Sequence, residues 1–291
     1  LTHGVLSVIA VAAALTHVLL VDYYVNEPWE KTLWIAMSGA FVGLLVWVRV
    51  LRPVQRMRNP WRVEEVIPEH GNSRTMVLKP EHPNSFAFDP GQFAWIMVRK
   101  SPFAITQHPF SISSSAEHPE RLALTVKSAG DFTSALDSLQ PGTTVYLDGP
   151  HGSFSVDRYE GPGFALIGGG VGVTPLMSIM RTLADREDVR PIYLFLGNHN
   201  LESTTFREEI EAMKARLDLN VVHVLSHPAE GWEGEKGHLG ADVFRRHLPK
   251  RYERLQYFVC GPEALMDAVE RSLSEVGIPE ERVHSERFGM V

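Results

Sequence analysis

The stretch Phe164-Ala165-Leu166-Ile167-Gly168-Gly169-Gly170-Val171-Gly172-Val173-Thr174-Pro175 decides how the second half of this chain folds. Four apolar residues run straight into a glycine-rich turn, as a strand buried on both faces does when it meets a helix. Pro175 falls near the first turn of that helix, where its missing N–H would have had no partner. Glycines let backbone amides approach a phosphate closely, and a helix amino terminus attracts anions. The G-x-G-x-x-G spacing is not met, because its third glycine falls on Val173. A tight turn alone would also explain the segment.

Working outward, the same short apolar run recurs at Ile192–Leu196, Val221–Leu225 and Tyr257–Cys260. With Phe164–Ile167 these make four strands, each followed by a helical stretch: Pro175–Ala184, Ser203–Arg216, Ala241–Leu248 and Pro262–Glu275. The alternation predicts a doubly wound parallel α/β sheet with ligands at the carboxyl ends of its strands. Upstream the period changes. Trp61–Ile67, Ser73–Lys79, Gln92–Arg99, His108–Ser113, Arg121–Lys127 and Thr144–Asp148 read as strands separated by turns such as Pro90-Gly91 and Gly149-Pro150. With a short helix at Thr133–Ser138 they predict a small antiparallel barrel. Domain limits of 1–52, 59–158 and 159–291 follow.

Composition narrows the chemistry. Of 291 residues, 44% are apolar and 22% charged, which excludes a disordered chain, and the net charge of −7 argues against nucleic acid as a partner. The single cysteine, Cys260, forbids an intrachain disulfide, a four-cysteine zinc site and an iron–sulfur cluster held by this chain alone.

The first 52 residues differ from the rest. Gly4–Val21 and Leu33–Val48 are uncharged runs of 18 and 16 residues, the second ending in Trp47 and Arg49. Both are expected to span a lipid bilayer, although a pair of buried core helices or a cleaved signal peptide shows similar runs. The opening Leu1-Thr2-His3 lacks the Met and basic stretch of a signal peptide, so the chain is expected to be cut from a larger membrane protein. Arg49, Arg52, Arg56 and Arg58 face an acidic connecting loop containing Asp22, Glu27 and Glu30, which puts everything after the second run in the cytoplasm. Pro53 and Pro60 are expected to break the helix there.

His3 and His17 stand 14 residues apart, about 40° short of four full turns and about 21 Å along a helix. Both imidazoles would face one side, near opposite membrane surfaces. Imidazole is an axial ligand of haem iron, and two haems stacked across a bilayer need such a separation. Hydrogen bonding to a neighbouring helix is the other reading. Each haem would need a second histidine from outside this chain.

Five motifs then occur in order: His108-Pro109-Phe110-Ser111-Ile112-Ser113-Ser114, Val126-Lys127-Ser128-Ala129-Gly130-Asp131-Phe132-Thr133, Gly149-Pro150-His151-Gly152, the glycine loop, and Cys260-Gly261-Pro262. Together they resemble the ferredoxin-NADP reductase superfamily. Joined to the histidine-bearing helix, the chain resembles the carboxy-terminal part of the ferric reductase and NADPH oxidase family. The resemblance implies an α+β multidomain chain: two transmembrane helices, an antiparallel β-barrel FAD domain and an α/β parallel-sheet NAD(P)H domain.

It also implies site residues. His108 and Pro109 would meet the FAD diphosphate, Phe110 would pack on the flavin, and the Ser111 hydroxyl would lie near N5. Lys127, Gly130, Phe132 and Thr133 would close on the pyrophosphate, with Thr133 also a candidate helix N-cap. Gly168, Gly169, Gly170, Gly172, Thr174 and Pro175 would face the dinucleotide. Cys260, with Gly261 and Pro262, would stand beside the hydride-bearing carbon, acting by position and not by reactivity. Phe288 would cover the flavin. His3 and His17 would carry haem b, their axial partners supplied by missing upstream transmembrane helices.

The activity so implied is a membrane oxidoreductase. NAD(P)H would reduce FAD in the cytoplasm, and electrons would cross the lipid bilayer by the His3 and then the His17 haem to an outer electron acceptor, ferric iron or dioxygen. The alternative is a membrane-tethered, haem-free FAD-dependent NAD(P)H reductase serving a separate protein partner.

Overall fold

The structure is a computed structural model and describes residues 2–21, 27–82, 86–98, 101–103, 107–128, 130, 133–134 and 136–287, the side chains of residues 2–5, 19 and 137 aside. It divides into two compact units, Leu1–Arg58 and Asn59–Val291.

The first unit is helical. Helices α1 (Thr2–Leu20) and α2 (Pro28–Val46) line a small apolar cavity of about 130 Å³ with Val8, Val11, Ala12 and Leu15 on one side and Phe41, Val42 and Leu45 on the other. Pro28 opens α2, and the Glu30 carboxylate accepts the otherwise unused Glu27 amide (3.1 Å). No residue of α2 is buried. Among the described residues one helix, Pro28–Arg58, is long and apolar enough to cross a membrane. Among the described side chains the apolar part of α1 runs from Leu6 to Val18. Two spans were expected, and among the described residues one helix meets the length and composition of a span.

Pro53 does not break the helix as expected. A wide turn, Trp47–Leu51, precedes it, in which the Arg52 amide donates back to the Trp47 carbonyl, and α3 (Arg52–Arg58) continues through Pro53. Widening a turn shifts the carbonyl that a proline ring would otherwise strike. Only after Pro60 does the chain become extended.

The second unit holds two six-stranded sheets. In the first, β1 (Trp61–Glu69), β2 (Ser73–Pro80), β3 (Phe93–Val98), β4 (His108–Ser111), β5 (Leu122–Lys127) and β6 (Thr144–His151) pair antiparallel in the order β4-β3-β6-β1-β2-β5. The edge strands meet where Ile112 bridges Leu124, so the sheet curls around Trp61, Leu78, Ile96, Leu122 and Val145. In the second, β7 (Phe164–Gly169), β8 (Ile192–Asn198), β9 (Leu219–Leu225), β10 (Glu235–Lys236), β11 (Gln256–Cys260) and β12 (Val283–Glu286) are parallel in the order β10-β9-β8-β7-β11-β12.

Both faces of that sheet are covered. Phe164 and Leu166 of β7 join one core with α4 (Val173–Asp185) and α5 (Arg207–Met213), while Ala165 and Ile167 join another with α6 (Ala241–His247) and α7 (Glu263–Val276). Alternation within a wholly apolar run explains why the strands read as continuous hydrophobic blocks. The two-residue β10 and four-residue β12 carry too little apolar pattern to be seen in sequence. Helix α5 is shorter than expected because Asn200 caps a separate turn at Leu201–Ser203 and Phe206 takes a left-handed conformation (φ 62°), which restarts the helix at Arg207. From β7 the chain proceeds to β8 on one side and later returns to β11 on the other, so the sheet reverses direction between β7 and β11. A ligand crevice is expected at that point, beyond the strand ends.

The barrel and the parallel sheet are pinned at Gly91. Its amide donates to Ser178 Oγ on α4 (3.3 Å), its φ is +99°, and an added β-carbon would lie 2.3 Å from the Phe154 carbonyl oxygen. Gly91→Ala is therefore expected to lower stability by about 1–3 kcal/mol, measured as an earlier midpoint in urea unfolding of the full chain.

Candidate functional site

At the switch point, β7 and β11 run side by side with Gly168 opposite Cys260, and β12 brings Glu286 level with Cys260. The glycine loop crosses their ends. A β-carbon at Gly172 would meet the Cys260 carbonyl oxygen at 2.4 Å and Gly261 Cα at 2.6 Å, and one at Gly169 would strike Leu265 at 2.3 Å. Gly170 is different: its φ is +54° and a β-carbon there would meet nothing within 4 Å. The loop thus packs on its inner side and is open at Gly170, a cradle for a phosphate at the start of α4. Thr174 is buried and donates its hydroxyl to the Val171 carbonyl (2.7 Å), and Pro175 is buried in the first turn. Pro262 precedes α7, whose Leu265 and Met266 amides donate to its carbonyl.

Cys260 is 1% exposed. Burial, with a smaller contribution from the Glu286 carboxylate, pushes its thiol up to about 12. A protonated thiol is a small wall with a weak S–H donor and no nucleophile. Burial likewise holds the Glu286 carboxyl above its ordinary value.

The barrel contributes β4. His108, Pro109 and Phe110 are half-buried, and Ser111 is buried beside Phe93 of β3. Gln92 frames that strand end: its backbone carbonyl accepts the Ile112 amide (3.0 Å), its side-chain carbonyl accepts the Asp89 amide (2.8 Å), and its side-chain amide donates to the Gly152 carbonyl (2.9 Å). Gly152, φ +99°, is where the two sheets come together, since a β-carbon there would lie 3.2 Å from the Phe93 ring and 3.7 Å from Glu286 Oε2. Phe93, Gly152, Glu286 and Cys260 therefore lie side by side where the barrel meets the parallel sheet.

At the end of β5, Lys127 is exposed, and the Thr133 hydroxyl reaches back to both the amide and the carbonyl of Gly130 (2.9 Å each). A β-carbon at Gly130 would have open space around it. Phe132 and Phe288 lie outside the described residues, as does the side chain of His3. His17 is exposed on α1. Among the described residues no three His, Cys, Asp or Glu side chains form a metal cluster. Gln92, Gly152 and Glu286 were not singled out as site residues from sequence. A Pro-Gly-Gln-Phe turn and a glutamate near the chain end are weak signals without the register that joins them.

Comparison with known proteins agrees with this geometry. Residues 65–155 match the family model of an FAD-binding domain, and residues 166–271 match that of an oxidoreductase NAD-binding domain. The chain is 30% identical over 239 residues to a glycine betaine monooxygenase reductase subunit of Chromohalobacter salexigens, covering 80% of this chain and 64% of that one. It is 29% identical over 218 residues to ferredoxin–NADP reductase B of Sorangium cellulosum, covering 70% and 86%. An Amycolatopsis cytochrome P450 reductase structure superposes with a TM-score of 0.68 at 26% identity, over 79% of this chain and 69% of that one. The chain thus spans less than two thirds of the length of the monooxygenase reductase subunit.

A curled antiparallel sheet feeding a parallel nucleotide sheet defines a ferredoxin-NADP reductase-type FAD- and NAD-binding module, and the chain carries one. Its two halves are an FAD-binding domain and an oxidoreductase NAD-binding domain.

Two outcomes follow from the crevice. Gly172→Ala forces the loop away from Cys260 and is expected to keep FAD while slowing NAD(P)H-dependent flavin bleaching by at least about tenfold, read by anaerobic absorbance. Glu286 has a folded pKa above its unfolded one, so whatever stability its protonated form provides is lost as pH rises through the folded value. Glu286→Gln escapes that loss, and its melting temperature relative to the wild type is expected to climb as pH rises above the ordinary glutamate value.

Proposed function

We propose that this chain moves electrons from NAD(P)H to a redox partner at a membrane. Bound FAD would supply the switch from hydride acceptance to single-electron release. The residues present fit such a group. Lys127, Gly130 and Thr133 offer a cation, a glycine with open space around it and a hydroxyl for a pyrophosphate, with His108 and Pro109 on the neighbouring motif. Phe110 provides an apolar face, and buried Ser111 provides the hydroxyl for N5. The nicotinamide nucleotide would lie along Gly168–Gly172 with Cys260 and Glu286 as the wall behind its ring. Phe132 and Phe288 would complete the flavin enclosure. The observation that carries this reading is the approach of Gly152 and Phe93 of the barrel to Glu286 beside Cys260, at the ends of β11 and β12.

The acceptor lies outside these residues, because the lone Cys260 cannot hold an iron–sulfur cluster. Relatives named as reductase components of monooxygenases support a protein partner. The uncovered apolar surface of α2, followed by Arg49, Arg52, Arg56 and Arg58, supports a lipid-embedded α2 with the module on the cytoplasmic side.

A second reading has a specific observation behind it. Helix α1 is continuous from Thr2 to Leu20, so His3 and His17 fall on one face four turns apart. Two histidine positions so spaced would suit axial ligands of haem b, whose remaining axial ligands and outer acceptor, ferric iron or dioxygen, would come from elsewhere. The limits 1–52, 59–158 and 159–291 would then be the partial haem, FAD and NAD(P)H domains.

The discriminating measurement is the spectrum of the intact parent protein. Flavin bands together with a Soret band that is lost in His17→Ala support the haem relay, and flavin bands alone support the haem-free tethered reductase. His108→Ala is expected to lower the FAD content of purified protein at least several-fold, and full retention would remove His108 from the flavin site.

A further inference from the structure

One face of α4 is fastened to the backbone that continues from β4. Ser178, Arg181 and Thr182 stand three and four positions apart, so they share that face. Ser178 Oγ donates to the Ser114 carbonyl (2.8 Å), the Ala116 amide donates to Thr182 Oγ1 (2.9 Å), and Arg181 Nη1 donates to the Ser113 carbonyl (2.6 Å). Arg181 is the member with a charge, and its charge is fully engaged. Its Nε and Nη2 donate to the two Glu209 carboxylate oxygens of α5 (2.7 and 2.6 Å), and its guanidinium lies 5.0 Å over the ring of Phe206, the residue held in the left-handed conformation.

A planar fork bonded on two edges and packed against a ring has little freedom left. Ser113 lies two residues beyond Ser111, and α4 begins at the glycine loop. The arginine therefore joins the strand assigned to the flavin with the helix whose start is assigned to the nicotinamide nucleotide. Neither Ser113 nor Arg181 needs to touch a cofactor for this link to set how closely the two cofactors approach.

We propose that Arg181 is a positioning residue that fixes the hydride donor-to-acceptor distance, by locking the Ser111–Ser114 segment to α4 with Glu209 and Phe206 as its brace. The proposal rests on the reading of β4 as the flavin strand and Gly168–Gly172 as the nucleotide loop. Hydride transfer is steep in distance, and misplacement by about 1 Å costs up to about 100-fold in rate. A purely structural ion pair would alter unfolding and leave the transfer step alone.

The test uses full-length holoprotein in anaerobic stopped-flow reduction by NADH and NADPH, each also deuterated at the transferred position. Arg181→Met is expected to keep its FAD, to change the half-saturating nucleotide concentration less than about threefold, and to slow flavin reduction at saturation by about 10- to 100-fold. Its deuterium isotope effect is expected to become more temperature-dependent than in the wild type. Arg181→Lys, which keeps the charge and one donor without the fork, should recover part of the rate. Should Arg181→Met not fold, Glu209→Gln leaves the Ser113 bond in place and is expected to slow the same step by about threefold or more with FAD retained. Unchanged saturating rate and isotope effect in these variants would overturn the proposal, as would losses that follow FAD content alone. Failure of the site reading itself is separate: it would appear as full flavin retention in His108→Ala, whatever Arg181 does.

Discussion

Cys260, Gly261 and the glycine loop are held within the contact distance of bare backbone, and the working crevice depends on that approach. At Gly172 there is room for a hydrogen and nothing more, because the Cys260 carbonyl oxygen occupies the space where a β-carbon would stand. This contact sets the ends of β7 and β11 against the start of α4 at the one place where the strand order reverses. With the loop's inner side closed by packing, its open side is at Gly170. The same closeness keeps Cys260 buried and raises its thiol, so this residue contributes shape and not nucleophilicity.

Polar bonds join the barrel to the parallel sheet along α4. Gly91 and Ser114 both meet Ser178, while Ser113 meets Arg181 and Ala116 meets Thr182. Further out, Arg186 on the same helical stretch bonds Glu117 and Asp157, and His70 bonds Glu208. The outer pairs face water and are individually weak. The inner ones involve buried serine and threonine hydroxyls and backbone groups, which are costly to leave without partners. Two of these inner bonds, at Ser178 and Thr182, thus tie α4 to the segment that continues from β4.

The amino-terminal helices obey different physics. No residue of α2 is buried, and a run of arginines, Arg49, Arg52, Arg56 and Arg58, begins within the wide turn at Trp47–Leu51. That turn also explains why Pro53, which ends most helices, is carried inside one here.

Much of the architecture was legible in the order of residues alone. Six barrel strands and four nucleotide-sheet strands could be placed because burial on one or both faces imposes a period of two or an unbroken apolar run, and glycine or proline punctuates the ends. The glycine loop, Ser111 and Cys260 were visible because motif residues lie next to one another in the chain. Gln92, Glu286 and Arg181 were not, since their meaning comes from partners 26 to 68 positions away in the chain. Gln92 matters through the Gly152 carbonyl, Glu286 through its register with Cys260, and Arg181 through the Ser113 carbonyl. Local pattern encodes which backbone a segment prefers, whereas a hydrogen bond between distant segments exists only once both have been folded into place, and so the sequence determined the elements and the tertiary structure decided the crevice.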